Sequence, residues 1–183
     1  MADYIYLPVP TEEMTKLARW ASKAMNIPRR HILRNKYLSG HWKAFHRHFG
    51  ERCLSRVGPW DTLYILAHGE GYAGSNLVGA KRGSKFKTYT PEKLTSTLKK
   101  EGLADNVTDI RLLACGGGLE VQGIHDSWAQ KLKRAMNDAG YWRVYVTGYR
   151  GFVQICPWAI NVTLPEEGKM ALGLPMCARE VTF

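Results

Sequence analysis

The chain alternates between short apolar runs and amphipathic stretches, a pattern that predicts strands and helices in succession. A continuous apolar run occurs at 61–67, and further apolar-rich strand candidates occur at 109–114 and 143–147. Runs that are apolar at consecutive positions are typical of strands buried on both faces, as in a parallel sheet. Between them, apolar residues at helical spacing predict helices at 90–100 and 126–139. This order of strand, helix, strand, helix and strand predicts an α/β fold with right-handed crossovers.

Elements are also predicted on either side of this central block. Residues 4–9 form a strand candidate, and residues 11–27 follow with helical periodicity and a threonine cap. The strongly basic segment 29–52 is expected to form a second helix or helical arm. Residues 76–90 have the pattern of a β-hairpin, and the tail 152–183, which contains three prolines, is left without assigned elements.

Length and composition indicate one domain across residues 1–183, because no internal repeat or low-complexity linker divides the chain. No apolar run approaches the roughly 18 residues that a membrane helix needs. The amino terminus lacks the basic and apolar regions of a signal peptide, so we expect the protein to be cytoplasmic as made. The four cysteines are few and scattered, which favours free thiols over a disulfide framework.

The charge balance is strongly basic. Lys and Arg number 26 against 16 Asp and Glu, giving a net charge of +10 and a pI near 9.6. Such a field favours anionic partners, among them nucleic acid, acidic lipid surfaces and polyphosphates. A solvated basic face that serves solubility alone is the alternative interpretation.

Two of the predicted strands end in chemically useful residues. The run 61–67 is followed by His68 and Gly69, and the run 109–114 is followed by Cys115 and three glycines. The carboxyl ends of parallel strands meet at one edge of a sheet, where active sites collect. An imidazole there can deprotonate a thiol and then protonate a leaving amine. The N–H groups of Gly69 and Cys115 are candidates for an oxyanion hole. Taken singly, each side chain is more often structural.

The same residues resemble a known family. The segment 113–117, Leu-Ala-Cys-Gly-Gly, with His68-Gly69 47 residues before the cysteine, is similar to the caspase pattern Gln-Ala-Cys-x-Gly with its upstream histidine. Leu113 stands in place of the glutamine. The wider clan of caspase-like (clan CD) cysteine peptidases resembles the chain more closely, above all the autoprocessing cysteine peptidase domains of bacterial toxins. The resemblance covers residues 60–155, the expected catalytic core, and leaves the basic N-terminal residues, 1–55, unmatched.

This resemblance implies a fold, an activity and a setting. The fold would be a caspase-like, mostly parallel central sheet with helices on both faces and a β-hairpin flap. The activity would be that of a cysteine endopeptidase, a hydrolase that cleaves peptide or protein substrates with a Cys-His dyad. The setting would be that of a bacterial effector or toxin involved in virulence, which is secreted without a cleaved signal peptide or delivered into a host or target cell.

The resemblance also implies roles for further residues. The strand that ends at Arg150 and contains Gly148 falls where the clan places part of its specificity pocket, and Gly116 is a further substrate-binding candidate. Arg150 can select an acidic side chain; the alternative is that it simply faces solvent. A third acidic residue that orients the histidine occurs in this group, and Asp3 and Glu70 are candidates; a plain dyad is the alternative. The chemistry requires no cofactor, but the toxin domains are activated by inositol hexakisphosphate in a basic pocket. The basic residues available for such an activator are Arg29, Arg30, Arg34, Lys36, Lys81, Arg82, Lys85, Lys87, Arg143 and Arg150.

Two rival interpretations come from the basic N-terminal region. His41, His46, His48 and Cys53 lie within 13 residues, but their spacing fits no familiar zinc motif, so no metal is expected. The second alternative is a non-catalytic basic binding module for nucleic acid or polyphosphate on the same scaffold. Aromatic residues interleaved with this basic segment can stack on bases. No established nucleic-acid-binding motif accompanies them, and a nucleic-acid partner is not the primary expectation.

Overall fold

The elements of the fold are described from a computed structural model. It describes residues 1–34, 52–69, 78–120, 126–163, 174–175 and 180–183. In chain order the elements are β1 (Asp3–Leu7), α1 (Glu12–Ala24), β2 (Ile32–Arg34), β3 (Thr62–Leu66), β4 (His68–Gly69), β5 (Val78–Arg82), β6 (Lys85–Tyr89), α2 (Pro91–Lys100), β7 (Asp109–Leu113), α3 (Trp128–Asp138), β8 (Tyr145–Tyr149), β9 (Phe152–Cys156), β10 (Ala159–Thr163), β11 (Leu174–Pro175) and β12 (Glu180–Thr182).

A six-stranded, mostly parallel sheet forms the centre of the protein, as the apolar runs predict. Its strand order is β12-β8-β7-β3-β1-β2, and only β12 runs antiparallel to its neighbour. All five residues of β3 are buried, so both faces of the sheet are covered at its middle strand. The protein is therefore a mixed α/β fold in which β3 and β7 are central, paired strands.

Side-chain caps and buried faces fix the three helices. Thr11 Oγ1 accepts a hydrogen bond from the backbone N–H of Met14, 3.1 Å away, and so begins α1. Helix α2 has Thr90 as its cap and proline at its first position. Helix α3 begins with a capping box of Ser127 and Gln130. Helices α2 and α3 pack against each other, while α1 packs against β1, β2 and the hairpin formed by β9 and β10.

The described residues also form two three-stranded sheets, in the orders β4-β5-β6 and β11-β10-β9. The predicted hairpin is present as β5 and β6, joined by a turn in which Gly83 has φ +61°. The tail, to which the sequence assigned no elements, contributes the β9–β10 hairpin and the edge strand β12.

The N-terminal basic segment differs from its prediction where the structure describes it. Residues 29–31 form a single 3-10 turn, and residues 32–34 form β2 rather than the start of a helix. The reason is tertiary: Ile32 and Leu33 are buried, and β2 pairs in parallel with β1 at the edge of the sheet. Residues 35–51 lie outside the described ranges. Among the described helices, none has the length and apolar character needed to cross a bilayer.

Candidate active site

The carboxyl ends of β3 and β7 lead directly into the two candidate catalytic residues. The strands are parallel neighbours, with Leu66 opposite Leu113, and the N–H of Ala67 donates to the Leu113 carbonyl at 3.2 Å. His68 and Cys115 follow two residues after this pair, so both leave the sheet at the same edge. The predicted convergence of the two strand ends is therefore present in the fold.

Gly69 lies against the backbone of Cys115. A Cβ atom at position 69 would collide with the Cys115 carbonyl oxygen and come within 3.2 Å of its nitrogen. Only glycine therefore permits this approach of the two segments. His68 and Gly69 also form β4, opposite Gly79 and Val78 of β5, so the hairpin is attached to the histidine segment.

The Cys115 thiol is half-buried and neutral in character. Its Sγ lies 3.9 Å from the carbonyl oxygen of Val153 in β9, a long contact in which the S–H is the donor. Burial raises the pKa of the Cys115 thiol above its usual value, and the backbone of Val153 and of Cys115 itself partly opposes the shift. The resting site therefore holds a thiol, and a base is needed to make the nucleophile.

The His68 ring is held by an acid that the sequence analysis did not assign. Its Nε2 lies 3.3 Å from Oε1 of Glu13, in the first turn of α1; the histidine side chain is 36% exposed and the glutamate side chain 60%. Within the described residues, no hydrogen bond joins the His68 ring to the Cys115 thiol. The two groups occupy neighbouring strand ends but point to different partners.

Neither of the two acids expected to orient His68, Asp3 and Glu70, is seen beside its ring in the residues that the structure describes. Asp3 lies at the amino end of β1, opposite Thr62, which is the first residue of β3. His68 follows the other end of β3, so Asp3 belongs to the opposite edge of the sheet and does not orient it. Glu70, the second candidate, lies outside the described residues. In the sequence, Glu13 is recognisable only as an acidic residue in the first turn of a helix. Acidic residues are common at that position, so the sequence did not indicate its contact with His68.

The glycines after Cys115 form a turn tied to the end of β8 and the residues after it. Gly116 has φ +68°, and its N–H donates to the Gly151 carbonyl at 2.8 Å. A Cβ at Gly148 would lie 2.7 Å from the carbonyl carbon and oxygen of Gly117. Gly116 and Gly148, both expected to bind substrate, are thus engaged in backbone packing that fixes the position of the Cys115 turn.

Arg150 is the first residue after β8, and it directly precedes Gly151, whose carbonyl accepts the hydrogen bond from Gly116. Its side chain is 52% exposed, and its Nη2 lies 3.5 Å from Oε1 of Glu120. Glu120 was not assigned from the sequence. The ion pair therefore joins Glu120, which follows the glycine turn after Cys115, to Arg150, which precedes the Gly151 carbonyl that this turn contacts.

The backbone N–H of Cys115 is available as a donor. Within the portion of the chain that the structure describes, it donates to no backbone carbonyl outside the helices and strands. It can therefore serve as one of the two expected oxyanion donors; the other, Gly69, lies opposite Val78 in the β4–β5 pair.

The rival metal site is not assembled in the described residues. Cys53 is buried, with its Sγ 3.5 Å from Oε2 of Glu101, and burial and Glu101 raise the pKa of its thiol. His41, His46 and His48 lie outside the described ranges. Across the described residues, no group of three metal-ligating His, Cys, Asp or Glu side chains occurs.

No protein-family model matches this chain, and no curated protein matches it either. The geometry of its own residues is therefore the basis on which a function is assigned.

Proposed function

We propose that the protein is a cysteine peptidase with a caspase-like catalytic arrangement, in which Cys115 is the nucleophile and His68 the general base and acid. The single observation that supports this best is the pairing of β3 with β7, which sends His68 and Cys115 out of the sheet as neighbours. The close backbone contact between Gly69 and Cys115 keeps the two segments together.

The first chemical step activates a neutral thiol. The contact between the Cys115 sulfur and the Val153 carbonyl is long and weak, so rotation of the side chain away from it costs little. Glu13 occupies Nε2 of His68, which leaves Nδ1 to accept the thiol proton. The resulting imidazolium is stabilised by the Glu13 carboxylate, and the thiolate attacks the substrate carbonyl carbon.

The remaining steps return the proton and release both products. The carbonyl π electrons move to oxygen, where the N–H of Cys115, with Gly69 beside it, stabilises the negative charge. When the intermediate collapses, the C–N bond breaks and His68 gives its proton to the leaving amine. A water molecule, deprotonated by His68, then attacks the thioester, releasing the acid and restoring the Cys115 thiol.

Substrate recognition is proposed for the surfaces around the Cys115 turn. The hairpin of β5 and β6 continues from the His68 segment through β4, and acts as the flap that covers a bound peptide. Arg150 selects an acidic side chain before the scissile bond, in competition with Glu120, its partner in the free protein. Gly116 and Gly148 contribute by holding the turn in place.

Covalent labelling tests the assignment without a known substrate. Peptidyl acyloxymethyl ketones react with a catalytic cysteine only after they bind, so a probe with aspartate at its last position should modify Cys115 and spare Cys156. A matched probe with lysine there should react more slowly. Labelling should disappear in His68→Ala and after unfolding. Equal labelling of Cys115 and Cys156, or labelling that His68→Ala leaves unchanged, would contradict the proposal.

A further inference from the structure

A cavity of about 540 Å³ lies beside α1, next to the turn between β9 and β10. Its walls include residues at positions 16, 19, 20 and 23, a spacing that places them on one face of the helix. This face points away from the buried one, which carries Met14, Ala18 and Ala21. The cavity is of the size that small-molecule ligands occupy.

Positive charge dominates the lining. Among the described residues that line the cavity, none is acidic and four are cationic: Lys16, Arg19, Lys23 and Arg29. None of these four forms an ion pair with a described carboxylate. Arg34 also lies near Arg19: burial lowers the pKa of the Arg34 guanidinium, and the charge of Arg19 lowers it further. Like charges held this close repel one another, and a bound anion would relieve that repulsion.

Beside the polar Ser22 and Asn26, the lining has an apolar section that includes a large ring. Trp20 lines the cavity, and the Nζ of Lys16 is 4.8 Å from the centre of its ring. Ile27, which is 4% exposed, and Pro157 of the β9–β10 turn complete this section of the wall. An inorganic anion would match the cations but leave these apolar surfaces in contact with water. A ligand that combines an anionic group with a flat apolar group would match both.

We propose that this cavity binds an organic phosphate of nucleotide size. Its phosphates lie among Arg19, Lys23 and Arg29, where charge-assisted hydrogen bonds hold them. Its planar ring stacks on Trp20 after Lys16 has moved from the indole to a phosphate. This site lies outside the residues assigned to catalysis, so the assignment does not depend on the peptidase proposal.

Isothermal titration calorimetry of the full chain with ADP and with pyrophosphate tests both halves of the proposal. ADP should bind, and raising the ionic strength should weaken binding because the cations are exposed. Arg19→Ala combined with Lys23→Ala should weaken both ligands by about tenfold or more. The matched control, Lys99→Ala with Lys100→Ala at the end of α2, removes the same charge from another exposed helix face and should bind as the wild type does.

Trp20→Ala separates stacking from charge. It should weaken ADP by roughly fivefold or more while leaving pyrophosphate unchanged. Circular dichroism of each variant checks that α1 still folds. Absence of ADP binding at about 1 mM ligand, or equal affinity in the Arg19/Lys23 and Lys99/Lys100 variants, overturns the site. An ADP affinity that Trp20→Ala does not change overturns the assignment of a ring-bearing ligand.

Discussion

Gly148→Ala tests whether this glycine binds substrate or packs against the turn that follows Cys115. The added Cβ would lie 2.7 Å from the carbonyl carbon and oxygen of Gly117 and from the nitrogen of Gly118, whereas ordinary contacts begin at 3.4 Å. These neighbours are backbone atoms that cannot rotate away, so β8 and the turn must move apart. Overpacking of this kind costs about 2 kcal/mol, which for a chain of this length lowers the midpoint of thermal unfolding by roughly 4–8 °C.

The same displacement reaches Cys115 because the turn carries it. A shift approaching ~1 Å in a nucleophile can reduce catalysis about 100-fold, so kcat/KM should fall by roughly 10- to 100-fold, mainly through kcat. The control is Gly140→Ala: Gly140 has φ +100°, but a Cβ there would meet no atom within 4 Å. The free energy of unfolding of Gly140→Ala should fall by only about 1 kcal/mol through backbone strain, and its kcat should remain that of the wild type. If Gly148→Ala melts like the wild type and raises KM alone, Gly148 contacts substrate and the packing argument is wrong.

Two further substitutions probe the histidine and a buried thiol. Glu13→Gln removes the charge that faces His68 and should lower kcat/KM roughly two- to fivefold, a modest effect because the pair is exposed. The control is Glu12→Gln, because Glu12 is an exposed acid in the same helical turn, and this variant should leave peptide cleavage unchanged. Equal losses of activity in the two variants would mean that Glu13 stabilises the start of α1 rather than acting on His68. Burial and Glu101 raise the pKa of Cys53 in the folded state, so its contribution to stability is complete below pH ~8.5 and declines above it. Urea unfolding between about pH 7 and 10 should therefore show an alkaline fall in stability that is shallower in Cys53→Ala than in Cys156→Ala, and identical slopes would contradict it.

The central strands and helices are readable from local signals. The apolar run that becomes β3 is buried at all five positions, and a strand in that environment needs apolar residues at nearly every position. In β7 the apolar residues Ile110, Leu112 and Leu113 are buried, whereas the alternating Asp109 and Arg111 are partly exposed. The helix starts are marked by Thr11, Thr90 and Ser127, whose side chains accept the first free N–H groups. These features depend on residues within one element, so the sequence alone displays them.

The features that sequence analysis missed depend on distant segments. Strand β2 forms because Ile32 and Leu33 pair with β1, and no residue within 29–34 indicates that pairing. Glu13 contacts His68 across 55 positions of sequence, and Val153 reaches the Cys115 thiol from a hairpin in the unassigned tail. The placement of His68 and Cys115 at neighbouring strand ends could be predicted from the sequence; the groups that contact their side chains could not.

The most direct test of the proposed peptidase is cleavage of a diverse peptide library, followed by mass spectrometry. The wild-type protein should generate new peptide termini that share a preferred residue before the cut. Cys115→Ala and His68→Ala should generate none, while circular dichroism shows that both remain folded. Cleavage that persists unchanged in folded Cys115→Ala would contradict the assignment of Cys115 as the nucleophile, and an absence of cleavage by the wild type would contradict the peptidase itself.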